Sequence, residues 1–193
     1  MHDESVYLGL GSNVGNRAAH LRAALAGLQD RGLRLRAVSS FYLTEPDLRP
    51  RAGGTYIPAR PHGTSEAGAH PWYVNCAAAF EDAPEPGELL ALCREVEDAH
   101  GRRRDALPTG SDEPQPRTLD IDVLLMGNRV IDEPGLTVPH PRMSQRRFVL
   151  LPLAEIAPDL KHPVAGTSIR EMLAALPERE RVDLLQTREE EGS

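Results

Sequence analysis

The spacing of apolar residues switches repeatedly between a period of two and a period near 3.6. The order of those switches restricts the fold more than any other feature of the chain. Residues 6–10 form a short apolar run that reads as a buried strand, and Gly9, Gly11, Ser12, Asn13 and Gly15 predict a turn after it. Asn16 is the candidate N-cap of a helix carrying Leu21, Leu25 and Leu28 on one face, with Gly32 as its stop. Leu33, Leu35, Ala37, Ser39 and Phe41 alternate with Arg34, Arg36, Val38 and Ser40, the pattern of a half-buried strand. Residues 73–80 return to strand character. Pro86 and Gly87 open a helix with the stripe Leu89, Leu92, Cys93, Val96 and His100, closed by Gly101. Residues 119–125 read as a strand, and Gly127-Asn128 turns the chain into Val130 and Ile131. A short helical segment is expected within 143–156. A last helix starts at Ser168, where Glu171 completes a capping box and Ile169, Met172, Leu173 and Leu176 form the buried face.

This order predicts an α+β fold with a ferredoxin-like βαββαβ core, in which helices pack on one face of an antiparallel sheet. Extra C-terminal strands and helices follow the core. The length of 193 residues suits a single domain. Residues 47–71 and 105–116 show no period and read as mobile loops; segments of that kind in a compact domain are usually functional or disordered. Residues 188–193 read as a disordered acidic tail.

A formal net charge of −7 argues against a nucleic-acid binder held by phosphate charge. Positive charge is nevertheless clustered, in Arg102, Arg103 and Arg104 and again in Arg142, Arg146 and Arg147, which suits a small polyanion such as a nucleotide. The two cysteines, Cys76 and Cys93, lack CxxC spacing and read as buried small hydrophobes. The first residues lack the basic and apolar parts of a signal peptide, and the longest apolar run, 148–153, is too short to span a bilayer. A cytoplasmic protein is the expectation.

Asp120 and Asp122 carry the sharpest chemical signal. They alternate with Leu119, Ile121 and Val123, so both carboxylates project from one face of a strand while the aliphatic set packs inward. A solvated acidic face is the commoner origin of such alternation. The neighbourhood favours a metal: Arg117 precedes the pair, the arginine run lies across the loop, and magnesium takes one or two carboxylates together with substrate phosphates. Tyr73 and Asn75 share one face of their strand, and an aromatic plane beside an amide suits a flat heterocycle, although an ordinary cross-strand aromatic fits the pattern too. Phe148 is either a second wall for such a ring or a core residue. The glycine-rich run at 9–15 misses dinucleotide-fingerprint spacing by one residue and reads as a tight turn or a close backbone approach to a ligand. His140, between Pro139 and Pro141, is either a phosphate donor or a surface histidine. His62 and His70 lack metal-ligand spacing.

Taken in order, Leu8-Gly9-Leu10-Gly11-Ser12-Asn13, Ser39-Ser40-Phe41-Tyr42-Leu43-Thr44-Glu45-Pro46, Tyr73-Val74-Asn75, Glu97 with Gly101-Arg102-Arg103-Arg104, Pro116-Arg117-Thr118-Leu119-Asp120-Ile121-Asp122 and Val138-Pro139-His140-Pro141-Arg142-Met143 form a set. The chain closely resembles the 6-hydroxymethyl-7,8-dihydropterin pyrophosphokinases of folate biosynthesis, from about residue 5 to about residue 163. The resemblance implies diphosphate transfer from ATP to the pterin hydroxymethyl group, with release of AMP. It implies that Asp120 and Asp122 hold two magnesium ions, that Arg102 and Arg117 are catalytic, and that Glu97, Arg102, Arg104, Arg117, Thr137, His140 and Arg146 serve the nucleotide. It also implies a pterin site of Thr44, Pro46, Tyr73, Asn75 and Phe148. The expected partners are these two small molecules, with no nucleic acid and no membrane, and the protein is expected to act as a monomer. Pro114-Gln115 stand where the family usually carries Trp-Gly, and Trp72 lies elsewhere, beside Tyr73.

Overall fold

The structure is a computed structural model that describes residues 5–45, 72–101, 117–177 and 181–185. The loops expected at 47–71 and 105–116 and the tail at 188–193 lie outside the described residues, as do Pro46, Arg102, Arg104, His62 and His70. In chain order the elements are β1 (Val6–Ser12), α1 (Arg17–Asp30), β2 (Arg34–Val38), β3 (Tyr42–Thr44), β4 (Tyr73–Glu81), α2 (Pro86–Ala99), β5 (Asp120–Met126), β6 (Ile131–Glu133), β7 (Leu136–Val138), α3 (Arg147–Ile156), α4 (Ile169–Ala175) and β8 (Val182–Leu184).

Six strands form one sheet in the order β5-β1-β4-β3-β8, with β2 also paired to β4. Every pairing in it is antiparallel. β6 and β7 form a separate hairpin. On the edge away from β1, β4 serves two neighbours: residues 78–81 pair with β2, and Tyr73, Val74 and Asn75 pair with β3. At the gap between them, Ser39 stands in for a strand. Its backbone N–H donates to the Ala77 carbonyl, and its Oγ accepts from the Ala77 N–H, each at 2.9 Å.

Strand alternation gives the sheet two faces, and each buries its own core. Val6, Leu8, Leu10, Val74, Phe80, Ile121 and Val123 pack against Leu21, Leu28, Leu89 and Val96 of α1 and α2. Tyr7, Ala77, Ala79, Leu124 and Leu125 face the other way, onto Met143, Val149, Leu150, Leu153 and Ile169. Helices on one face is therefore correct only for α1 and α2. The apolar residues of the second face need cover, and α3 and α4 supply it. The run at 148–153 is apolar on all sides, so its period does not reveal which face it takes.

Two boundaries also shift. Gly9 and Gly11, read as a turn, continue β1 to Ser12, because β4 and β5 supply ladder partners on both sides. Those hydrogen bonds outweigh the entropic cost of glycine in a strand. The strand read through Phe41 stops at Val38, and a new one, β3, starts at Tyr42. The helix caps match their sequence signals: Asn16 Oδ1 accepts from the Ala19 N–H at 3.1 Å, and Ser168 and Glu171 form a reciprocal capping box. Cys76 and Cys93 are buried. No helix among the described residues is long and apolar enough to cross a membrane.

Candidate active site

β5 delivers the acidic pair. Leu119, Ile121 and Val123 are buried in the α1/α2 core, which forces Asp120 and Asp122 onto the opposite face. Both line a cavity of about 350 Å³ at the end of that face. Their cross-strand neighbours on β1 are Gly11 and Gly9, so no side chain of β1 itself lies beside the carboxylates. Glu97, 3 % exposed on α2, reaches the strand from the other face, where its Oε1 accepts from the Ile121 N–H at 2.9 Å. That bond fixes the backbone between the two aspartates.

Arg117 Nη1 donates to Asp120 Oδ2 at 2.6 Å. The Arg117 backbone is held by Asn13: the Asn13 Oδ1 accepts from the Arg117 N–H at 2.7 Å, and the Asn13 N–H donates to the Arg117 carbonyl at 3.1 Å. Burial pulls the Arg117 guanidinium down, but the charge and hydrogen bond of Asp120 outweigh it and leave the group above its ordinary value. For Asp122, burial and then the charge of Asp120 push the carboxyl above the ordinary aspartate range, against the pull of His140, Arg146 and Arg117. His140 stands with Nε2 4.0 Å from Asp122 Oδ2. Burial, with the charges of Arg146 and Arg142, lowers the imidazole against the pull of Asp122. Its Nδ1 accepts from the Arg142 N–H at 3.2 Å, so the ring proton sits on Nε2 and points toward the aspartate side.

β4 presents Tyr73, Asn75 and Ala77 to the same cavity. Asn75 Nδ2 donates to Thr44 Oγ1 at 2.7 Å, which fixes the orientation of the amide. Space for that amide depends on Gly11, since a Cβ there would stand 2.5 Å from Asn75 Oδ1. Phe148 lines the cavity from the first turn of α3, with the Arg146 guanidinium 5.3 Å from its ring centroid. α3 starts with Arg146 at its N-cap and Arg147 next, with no acidic residue in the first turn. Cations oppose the dipole there, a local conflict of the kind expected at a functional site.

The structure thus brings Thr44, Tyr73, Asn75, Arg117, Asp120, Asp122, Arg146 and Phe148 to one cavity, with His140 beside Asp122. Glu97 and Thr137 are not among the lining residues. Glu97 lies behind β5, and the Thr137 hydroxyl donates to Asp132 Oδ1 at 3.4 Å within the β6–β7 hairpin. Gly9, Gly11, Asn13 and Arg142 were not among the site residues expected from the sequence, although Arg142 stood in the basic cluster suited to a nucleotide. The first two were detectable as glycines two apart, hence on one strand face, and a close backbone approach was one reading of that run.

Two carboxylates facing arginines in a cavity that also holds Tyr73, Asn75 and Phe148 are an arrangement suited to phosphoryl-type transfer. The family model of 7,8-dihydro-6-hydroxymethylpterin-pyrophosphokinase (HPPK) matches residues 7–158, and the chain belongs to that family. A 2-amino-4-hydroxy-6-hydroxymethyldihydropteridine pyrophosphokinase of Pseudomonas aeruginosa is 38% identical over 90% of this chain and 93% of its own. One of the same name from Methylorubrum extorquens is 37% identical over 88% of this chain and 92% of its own. Among solved structures, a Plasmodium falciparum HPPK-DHPS superposes with a TM-score of 0.61 at 14% identity, covering 88% of this chain. That likeness concerns the fold, and the present chain spans 45% of the longer one.

Proposed function

We infer that this cavity transfers diphosphate from ATP to the hydroxymethyl group of 6-hydroxymethyl-7,8-dihydropterin, releasing AMP, a step of folate biosynthesis. The observation that carries the reading is the placement of Asp120 and Asp122 in one cavity with Tyr73, Asn75 and Phe148, so a donor end and an acceptor end adjoin.

Asp120 and Asp122 fit the two magnesium ions that the family implies. They are hard oxygen donors on one strand face, and the charge of Asp120 already disfavours ionisation of Asp122, a repulsion that a divalent cation relieves. Among the described residues no third carboxylate, histidine or cysteine completes a protein cage. That suits an ion that keeps waters and takes phosphate oxygens. When bound, such ions neutralise the polyphosphate and polarise the reacting phosphoryl group.

The chain's own residues supply position and charge. Arg117 and Arg146, with Arg102 and Arg104 outside the described residues, bind the phosphates, and His140 Nε2–H donates to one of them. Glu97 acts on the nucleotide end through the backbone of β5, and Thr137 stands on the neighbouring hairpin. Tyr73 and Phe148 sandwich the pterin, and the Asn75 amide, set by Thr44, reads its edge; Pro46, outside the described residues, belongs to the same site by resemblance. Burial keeps the Tyr73 phenol protonated, so it serves as a wall rather than a base. Alignment and charge neutralisation carry the reaction.

The order β5-β1-β4-β2 with α1 and α2 on one face supports a ferredoxin-like core to which β3, β8, α3 and α4 are added. The family match over residues 7–158 suits a single domain, and we read the protein as a monomer. Buried free thiols suit the cytoplasm. Incubation with ATP, magnesium and the reduced pterin, followed by chromatography, tests the reading. AMP and a pterin diphosphate are expected; ADP or free phosphate as the nucleotide-derived product would overturn it.

A further inference from the structure

We propose that Glu155 is a positioning residue for the heterocycle slot, holding α3 and β3 at a fixed separation; this rests on the reading of the slot given above. Glu155 lies near the C-terminal end of α3, the helix whose first turn brings Phe148 to the cavity. Its carboxylate receives donors from the start of β3. The Ser40 N–H donates to both oxygens at 3.0 Å, Ser40 Oγ donates to Oε1 at 2.8 Å, and the Tyr42 hydroxyl donates to Oε2 at 2.8 Å. Burial and then the Glu155 bond push the Tyr42 phenol up to about 12, so it remains a donor at any working pH.

β3 is only three residues long, and so is β8 on its outer side. Strands of that length have little hold of their own. Yet β3 sets the amide that reads the ring, because Tyr42 pairs with Asn75, Thr44 pairs with Tyr73, and Thr44 Oγ1 accepts from Asn75. One wall of the slot therefore rides on β3 and β4 and the other on α3, and Glu155 joins them by hydrogen bonds. It does not line the cavity itself. The acidic pair is fastened separately, by Glu97 behind β5 and by Asn13 at Arg117. Loosening the clamp should therefore disorder the slot and spare the carboxylates, since supporting residues act by pre-organising those that touch the ligand.

The test compares Glu155→Ala, Glu155→Gln and Tyr42→Phe with the wild type by direct fluorescence titration of the pterin, nucleotide-analogue binding, steady-state kinetics and thermal melting. Glu155→Ala should weaken pterin binding and raise its KM about tenfold, with nucleotide affinity changed no more than about threefold and turnover at saturating pterin retained. Tyr42→Phe should move the pterin constant the same way by less, and Glu155→Gln, which keeps one acceptor oxygen, should fall between wild type and alanine. Unchanged pterin affinity would overturn the proposal. So would pterin and nucleotide constants that shift together in step with a lower melting midpoint. AMP formation by the wild type, measured first, separates the two readings: a wild type that reacts while the variants bind pterin normally refutes the clamp alone, and a wild type that binds no pterin refutes both.

Discussion

Asp122 is under two opposed demands. The role proposed for it, holding a cation, needs the ionised form; in the protein alone, burial and the charge of Asp120 disfavour that form. A carboxyl raised above its unfolded value contributes stability that is full at acid pH and is lost as pH rises through its folded value. Near neutrality the charge of Asp122 is therefore a cost to the metal-free fold. Asp122→Asn should melt higher than the wild type in chelator at pH 7, the gap closing toward pH 4, while turnover falls by about 100-fold or more. Melting curves against pH beside steady-state rates check both halves. The acidic pair was legible in the sequence because strand alternation is a local rule. Gly11 was legible only as part of a glycine run, because the Asn75 side chain that occupies the space of its missing Cβ lies 64 residues further along the chain. Gly11→Ala should displace that amide and weaken pterin binding about tenfold or more in a fluorescence titration, leaving the nucleotide constant nearly unchanged.

At the scale of elements, α4 tests how much a local signal is worth. Its capping box joins Ser168 and Glu171, with the Ser168 N–H donating to Glu171 Oε2 at 2.8 Å. Ser168→Ala should cost about 1 kcal/mol and lower the melting midpoint by about 2–4 °C, with KM and turnover unchanged at 25 °C. Calorimetry with a parallel assay checks it. Caps, the α1 and α2 stripes and the long strand β4 were readable because each is written within about a dozen residues. β3 and β8, at three residues each, are shorter than any window in which alternation is measurable. The second-face role of α3 was hidden in a run with no polar side, and the strand nature of Gly9 and Gly11 is a tertiary effect of β4 and β5 on either side.

For the whole molecule, the described residues cover one face of the sheet with α1 and α2, and the other at the end where α3 and α4 pack. The remaining end of the second face is the cavity, and it gathers residues from β1, β3, β4, β5 and α3. The acidic balance of −7 coexists there with Arg117, Arg142 and Arg146, because a polyanion responds to local field rather than net charge. Motif order in the sequence was enough to name the parts of this site. How they converge depends on a sheet order in which β1, first in sequence, lies between the fourth and fifth strands. In the function proposed above, Asp120 and Asp122 together hold the cations carried by the nucleotide. Titration of Mn²⁺ by electron paramagnetic resonance, with a non-hydrolysable ATP analogue, measures this without turnover. Wild type should take up the ion tightly, and Asp120→Asn and Asp122→Asn should each weaken uptake by at least about tenfold. Equal Mn²⁺ affinity in the wild type and both variants would contradict the account.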